Sequence, residues 1–144
     1  KMAITQGMAN SFKVQLLSGT QNFNSDTFLL ALYTSSATLG ETTTAYTTSG
    51  ECPSTGNYTA GGNTLTVSET PTNTGNVAYV SFANTSWTNA TITANGALIY
   101  NSSRANAAVA VLAFGGDKTS TNGTFAVNFP TADSSSAIIR LTAS

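Results

Sequence analysis

The chain has 144 residues, a formal net charge of −1 and charged side chains at only 8% of its positions, where about 25% is usual. So weak a charge provides no long-range field, and we expect neither nucleic acid nor a membrane as a partner. Histidine is absent and Cys52 is the one cysteine, which excludes an internal disulfide, a His/Cys metal site and any Ser-His or Cys-His dyad within this chain.

Hydroxyl side chains replace the missing charges. Threonine occupies 26 and serine 17 of the 144 positions. Threonine favours strands because its branched Cβ fits a pleated surface. The composition therefore predicts a β-rich domain whose surface carries hydroxyl and amide groups, with one core of a size that needs no disulfide or metal.

The start of the chain is predicted to be an arm, residues 1–10, ahead of a single β-sandwich domain, residues 11–144. Ser11 is a candidate N-cap for a helix of roughly two turns that ends before Ser18. A strand over the same residues is the alternative. Residues 1–7 show no pattern typical of a core element, so we expect them to lie outside the domain, against a neighbour.

Strands are predicted along the rest of the chain. Thr27–Tyr33 is apolar almost throughout, which indicates a strand buried on both faces. Residues 34–62 are rich in Thr, Ser and Gly and predict a long loop, which at this length is usually functional or mobile. Alternation or short apolar runs predict further strands at 63–67, 77–82, 88–93, 124–129 and 137–141.

One hairpin, with arms at 96–100 and 107–114, is predicted to organise the fold. Its second arm is a run of eight apolar residues, too short for a membrane span of about 20. Asn95-Gly96 and Gly115-Gly116 are turn signals that bound the hairpin. The residues of the second arm expected in the core are Val109, Val111 and Phe114.

Regularly spaced strands and the absence of a long helical pattern predict an all-β fold. The expected architecture is an antiparallel β-sandwich or barrel of about eight strands, with a short N-terminal helix or arm. Polar turns are expected between the strands, at 71–76, 84–87 and 115–123.

Three groups of residues could carry chemistry, and each has a simpler explanation. Trp87 could stack on a sugar, but a Trp at a strand entrance is more often a core residue. Asp117 lies in a polar segment that could be a calcium loop, but calcium requires several carboxylates. The acids lie apart in the sequence and are expected to be solvated rather than paired as in a glycosidase: Asp26, Glu41, Glu51, Glu69, Asp117 and Asp133. The sequence predicts no catalytic residue, no metal, no cofactor and no enzyme activity.

Several sequence blocks together resemble a family of small structural proteins of tailed bacteriophages. The blocks are Met8–Lys13, Leu30–Leu39, Thr43–Thr47, Tyr58–Leu65, Trp87–Ala94, Gly96–Tyr100 and Phe114–Ser120. The resemblance extends over nearly all of residues 8–144 and implies a place in a virus particle. It implies no catalytic residues.

Two functions fit this resemblance. The first is a capsid decoration (cement) protein on the outer capsid surface, which binds the major capsid protein and copies of itself as a homotrimer and stabilises the shell. The second is a tail, neck or fibre component that adheres to a host surface through loop 34–62 and Trp87. The residues expected at a partner interface are Met2, Ile4, Met8 and Phe12.

Overall fold

A computed structural model describes residues 3–142 of the chain. Over this range it contains eight β-strands and one α-helix, which confirms the all-β class. Their bounds are β1 Gly7–Met8, α1 Asn10–Leu17, β2 Phe28–Tyr33, β3 Asn63–Thr64, β4 Val67–Thr74, β5 Val77–Phe82, β6 Thr85–Asn101, β7 Ala107–Val127 and β8 Ile139–Thr142. The strands form a five-stranded antiparallel sheet in the order β1-β7-β6-β2-β3 and a three-stranded antiparallel sheet in the order β4-β5-β8.

The hairpin of β6 and β7 lies at the centre of the larger sheet, as predicted, and its arms are longer than predicted. In its inner half, β2 pairs with residues 96–101 of β6, and β1 pairs with Ala110 and Val111 of β7. In its outer half the two strands continue as a ribbon that ends at Thr85 and Val127. Residues 107–111 are buried throughout, which is typical of a strand covered on both faces.

The predicted turn at Gly115-Gly116 is wrong, because β7 continues through both glycines. Gly96 pairs with Ala113 and Ala94 pairs with Lys118, so β7 bulges out between these pairs. The two glycines have φ angles of 76° and 145°, which glycine adopts without the steric cost that a Cβ imposes. The glycines therefore bend a strand instead of ending it.

The predicted turn at Asn95-Gly96 is also wrong, since both residues lie within β6. A Cβ at position 96 would lie 2.5 Å from the carbonyl oxygen of Leu112 and 2.7 Å from a methyl carbon of Ile4. Glycine is required here because a neighbouring strand and the N-terminal segment approach the backbone closely.

Three other segments predicted as turns or loops, 71–76, 84–87 and 115–123, lie largely within strands. Only Gly75 and Asn76 form a turn in the first of them. β4 is an edge strand whose residues are mostly exposed. An edge strand tolerates Pro71 and a polar sequence, so its composition resembles that of a loop.

A column of phenylalanine rings joins the two sheets. Phe23 stacks on Phe28 of β2 with ring centroids 4.6 Å apart, and Phe28 lies 5.7 Å from Phe82 of β5. Phe12 of α1 meets Phe23 edge-on at 6.0 Å. These contacts place the core between the sheets and define a β-sandwich.

The predicted helix is confirmed, but its predicted cap is wrong. The N-cap is Ala9, while Ser11 lies in the first turn with its Oγ buried and without a hydrogen-bond partner among the described residues. The backbone N–H of Ala9 donates to Val109 and that of Asn10 donates to Glu41. Carbonyls of a strand and a loop therefore hold the helix start, in place of a capping side chain.

Residues 4–8 of the predicted arm lie along this chain's own domain. Gly7-Met8 forms β1 on the edge of β7, and Ile4 forms a bridge with Leu39 and packs against the core. The expectation that these residues have no place in the domain is therefore wrong from Ile4 onward. Lys1 and Met2 lie outside the described residues.

Candidate functional site

Glu51 holds separate parts of loop 34–62 together. Its Oε1 accepts the Tyr46 hydroxyl at 2.6 Å, and its Oε2 accepts the Tyr58 hydroxyl at 2.6 Å and the Gly61 N–H at 2.7 Å. The expectation that this acid is solvated is wrong, because three donors within the loop enclose it. A carboxylate with three such donors is a structural anchor and has little free capacity to act as a base.

The tyrosines around Glu51 are held as hydrogen-bond donors. Burial, and then the hydrogen bond to Glu51, raise the pKa of Tyr46 and Tyr58 well above the usual range. The Tyr46 ring stacks on Tyr100 of β6 with centroids 4.7 Å apart, and the Tyr100 hydroxyl donates to the Gly61 carbonyl at 2.7 Å. We call Tyr46, Glu51, Tyr58 and Tyr100 the tyrosine–glutamate cluster; Tyr100 joins it to β6.

Cys52 belongs to the same loop and is buried. Its Sγ donates to the carbonyl of Thr93 at 3.3 Å. Burial, followed by the nearby charge of Glu51, raises the pKa of the Cys52 thiol to about 12. A buried thiol that stays protonated is a poor nucleophile and a poor metal ligand.

The tip of the central hairpin is held by Asp26. Its carboxylate accepts two hydrogen bonds from the Arg104 guanidinium, both at 3.0 Å, one from Asn101 at 2.8 Å and one from the Asn22 N–H at 2.9 Å. Burial, the largest single effect, would raise the pKa of Asp26, but the hydrogen bonds from Arg104, Asn101 and Asn22 together lower it to about 2. Asp26 is therefore not solvated as expected, and Arg104 is engaged within the fold.

Trp87 is a core residue, as the simpler explanation predicted. It is 6% exposed and lies between Tyr58, at 5.7 Å between ring centroids, and Phe125, at 6.2 Å. A sugar could not stack on its ring without displacing these neighbours.

Asp117 lies at the bulge of β7 and is exposed. Its Oδ1 accepts the side-chain amide of Asn95 at 3.0 Å. It borders a cleft of about 330 Å³ that is otherwise lined by Thr34, Ser35, Pro53, Thr91 and Thr93. Residues 3–142 contain no group of three or more His, Cys, Asp or Glu side chains that could hold a metal ion.

The residues predicted at a partner interface are largely used within the chain. Phe12 is fully buried, so this prediction is wrong for Phe12: its side chain presents no surface to a partner. Ile4 and Met8 are partly buried and pack against the core, and their contact with a partner stays a prediction. Met2 lies outside the described residues.

Exposed apolar side chains lie elsewhere, on α1 and on β8. The large apolar side chains exposed among residues 3–142 are Val14, Leu17 and Leu141, at 66%, 89% and 46%. Leu16 and Leu141 line one almost entirely apolar groove. We call Val14, Leu16, Leu17 and Leu141 the α1–β8 surface. Sequence reasoning missed it because a helix of eight residues is too short for its apolar pattern to show which face is covered.

Comparison with known proteins found no matching family model, no matching curated protein and no matching solved structure. The resemblance to phage structural proteins therefore stays a prediction from the sequence. Within residues 3–142, none of the helical structure is both long and apolar enough to cross a membrane.

Proposed function

We propose that the chain is a structural component of a tailed-bacteriophage particle. In this proposal it is a capsid decoration protein, which binds the major capsid protein on the outer surface of the shell and stabilises it. The sequence blocks that resemble phage structural proteins suggest the particle. Within this chain, the enclosed side chains of Glu51, Asp26 and Cys52 favour a binding role without enzyme activity.

The observation that carries this proposal is the α1–β8 surface. Val14, Leu17 and Leu141 are exposed on a protein whose other surface groups are mostly hydroxyls and amides. Large apolar side chains exposed on so polar a surface are candidates for contacts with other proteins. Apolar and hydroxyl contacts are also insensitive to ionic strength, which suits a protein that must stay on a shell.

A homotrimer is the assembly we propose. A domain of 144 residues offers a limited face to each neighbour, and a specific interface buries about 1,200–2,000 Å² in total. Several such contacts around a symmetry axis increase the strength of attachment, and closed rings are a common way to obtain them. Three-fold positions of the shell are the expected sites.

The alternative is a tail, neck or fibre component that binds a host surface. One observation favours it: the cleft beside Asp117 is lined by threonine and serine hydroxyls, groups that can hydrogen-bond a polyhydroxylated ligand. Trp87 no longer supports this alternative because it is buried.

The copy number of the chain in purified particles tests the proposal. Quantitative mass spectrometry should find hundreds of copies for a decoration protein and tens or fewer for a tail component. Salt at about 1 M, where the screening length is about 3 Å, should not release the protein. Release by salt, or labelling confined to the tail in electron micrographs, would contradict the decoration role.

A pair of variants tests the surface that carries the proposal. Leu17→Gln, at an 89% exposed position, should weaken retention on particles and leave the unfolding midpoint almost unchanged. Lys13→Gln, at an exposed position of the same helix, is the matched control and should stay on particles as the parent does. If both variants are retained equally, the α1–β8 surface is not part of the interface.

A further inference from the structure

Two asparagines of the chain are followed directly by glycine, at Asn95-Gly96 and at Asn122-Gly123. Asparagine is one of the thermolabile residues. It loses its side-chain amide when the backbone nitrogen of the next residue attacks Cγ. A glycine in that next position leaves the nitrogen unhindered, because glycine has no side chain. Both pairs meet this sequence requirement, so the fold decides which of them can react.

The reaction at such a pair depends on the freedom of the backbone. The peptide group between the two residues must rotate from its resting position to bring the glycine nitrogen to Cγ. Strand pairing on both sides opposes this rotation, because the rotation breaks backbone hydrogen bonds. The reactive pair should therefore be exposed, paired on few sides and loosely packed around its glycine.

Asn95-Gly96 is held from several sides. Gly96 pairs with Tyr33 of β2 and with Ala113 of β7. A Cβ at Gly96 would lie 2.5 Å from a backbone carbonyl oxygen of β7, so the neighbouring strand leaves little room for rotation. The side-chain amide of Asn95 also donates to Asp117 at 3.0 Å. The fold therefore protects this pair.

Asn122-Gly123 lies at a bulge of β7 in the outer half of the hairpin. Gly123 pairs with Ala90, and Ser120 pairs with Ile92, so β7 has one residue more than β6 between these pairs. Asn122 is exposed and has a left-handed φ of 46°. Among residues 3–142, Gly123 has a strand partner on one side only. The bulge therefore restrains this pair less than regular pairing restrains the other.

The space around Gly123 also differs from the space around Gly96. A Cβ at Gly123 would meet its nearest atom, the carbonyl oxygen of Thr121, at 3.6 Å, which is an ordinary contact. The peptide group between Asn122 and Gly123 consequently has room to rotate.

The hydroxyl of Thr91 lies against the group that would react. Its Oγ1 accepts the N–H of Asn122 at 3.1 Å and donates to the Asn122 Oδ1 at 3.4 Å. Negative charge develops on this Oδ1 when a nitrogen attacks Cγ. A hydroxyl that donates to the oxygen stabilises this charge.

We propose that Asn122 is a site of spontaneous covalent modification in the folded chain. The nitrogen of Gly123 forms a bond to Cγ of Asn122, and the bond between Cγ and Nδ2 breaks. The side-chain nitrogen leaves as ammonia and takes up the proton that Gly123 loses. Water then opens the cyclic imide at either carbonyl, which gives aspartate or isoaspartate.

The modification changes both charge and backbone at the bulge. Either product adds a negative charge to a chain whose net charge is −1. Isoaspartate also adds a methylene group to the backbone of β7, because the chain then runs through the former side chain. The proposal does not depend on the particle to which the chain belongs.

The test incubates the full chain in mildly alkaline buffer and follows both asparagines by peptide mapping with mass spectrometry. Alkaline buffer helps to remove the proton from the glycine nitrogen. Asn122 should convert progressively to aspartate and isoaspartate, while Asn95 stays unmodified. No conversion at Asn122, or conversion at Asn95 that is as fast or faster, would overturn the proposal.

Incubation in urea separates the effect of the fold from that of the local sequence. In the unfolded chain both asparagines precede an unhindered glycine, so the two sites should convert at similar rates. If Asn95 stays unmodified in urea, its sequence protects it rather than its strand neighbours, and the proposed role of the fold is wrong.

Variants at the bulge test the chemistry. Gly123→Ala adds a methyl group beside the attacking nitrogen, where there is room for it. Conversion at Asn122 should almost stop in this variant, while the urea midpoint stays near that of the parent. Asn122→Asp gives the elution position of the charged product on ion exchange. Conversion in Gly123→Ala at the rate of the parent would overturn the proposed attack by the glycine nitrogen.

Thr91→Val tests the hydroxyl beside Asn122. Valine keeps the branched side chain and removes the group that donates to Oδ1, so conversion at Asn122 should slow. Unchanged or faster conversion would overturn the stabilising role of Thr91.

Discussion

The two halves of the β6–β7 hairpin use the same strands in different ways. In the inner half, β2 and β1 flank the hairpin, and residues 96–101 and 107–111 are buried throughout. In the outer half, β6 and β7 have only each other as strand neighbours among residues 3–142. There Ala90 and Ile92 are buried while Thr91 and Thr93 are exposed.

The difference shows how neighbours decide the composition of a strand. The inner half has a layer on each face: Phe28 meets the second sheet through Phe82, and Tyr100 is covered by Tyr46 of loop 34–62. Both faces can therefore be apolar. The outer half has one exposed face, and its sequence alternates. The inner half maintains the fold, and the outer half presents one face to solvent.

The largest expected effect comes from shortening a buried side chain in the inner half. Leu98 is fully buried, so Leu98→Ala should lower the free energy of unfolding by about 2–5 kcal/mol. Phe114 was expected in the core, but it is half-buried. Phe114→Ala should therefore cost less than the roughly 3–5 kcal/mol of a buried phenylalanine. Urea unfolding of both variants measures the comparison, and a larger loss in Phe114→Ala would contradict it.

The second prediction tests whether the tyrosine–glutamate cluster holds loop 34–62 over the inner half. In Glu51→Gln an amide nitrogen replaces one carboxylate oxygen, so at least one donor from Tyr46, Tyr58 or Gly61 loses its acceptor. An unpaired donor of this kind costs about 1–3 kcal/mol. Glu41→Gln, at an exposed position, is the control and should change the urea midpoint little. Equal midpoints for the two variants would show that the cluster does not hold the loop.

A smaller effect concerns the hairpin tip and depends on pH. The pKa of Asp26 is lowered from 3.8 to about 2 in the folded chain. Its ionised form therefore stabilises the fold above about pH 4, and this contribution is lost as the pH falls toward 2. The free energy of unfolding should fall less between about pH 5 and pH 2.5 in Asp26→Asn than in the parent. The same fall in both would show that the Asp26–Arg104 contact has no role in stability.

The smallest expected effect concerns the rate at which a thiol reagent labels Cys52. Cys52 is buried and the pKa of its thiol is raised to about 12, so a thiol reagent should label the native chain slowly at pH 8. In urea the same thiol should react at the rate of a free cysteine. Fast labelling without urea would show that loop 34–62 opens readily over β6 at Thr93.

The sequence predicted the inner half better than the outer half. The strand 28–33 and the arm 107–111 were found because continuous apolar runs occur where both faces are buried. Gly96 and Gly115-Gly116 were misread as turns, since a bulge or a close contact requires the same residue as a turn. Only the fold distinguishes these uses.

The candidate sites were harder to predict. The tyrosine–glutamate cluster joins residues from a loop and a strand, and a spacing of 5 or 7 residues between Glu51 and its tyrosine donors has no regular period. Beyond Val111, the outer edge of β7 has no strand partner among residues 3–142, because β1 ends at Met8. No local pattern in residues 112–127 indicates which of their neighbours is missing.

Native-state hydrogen exchange of the backbone amides tests the difference between the halves most directly. Amides of residues 97–101 and 107–111 should exchange only when the whole chain unfolds, with a free energy equal to that from urea unfolding. Amides of residues 118–127 that face the open edge should exchange by local opening, at a much lower free energy. Equal protection along all of β7 would contradict the account, because the outer edge would then be as closed as the inner half.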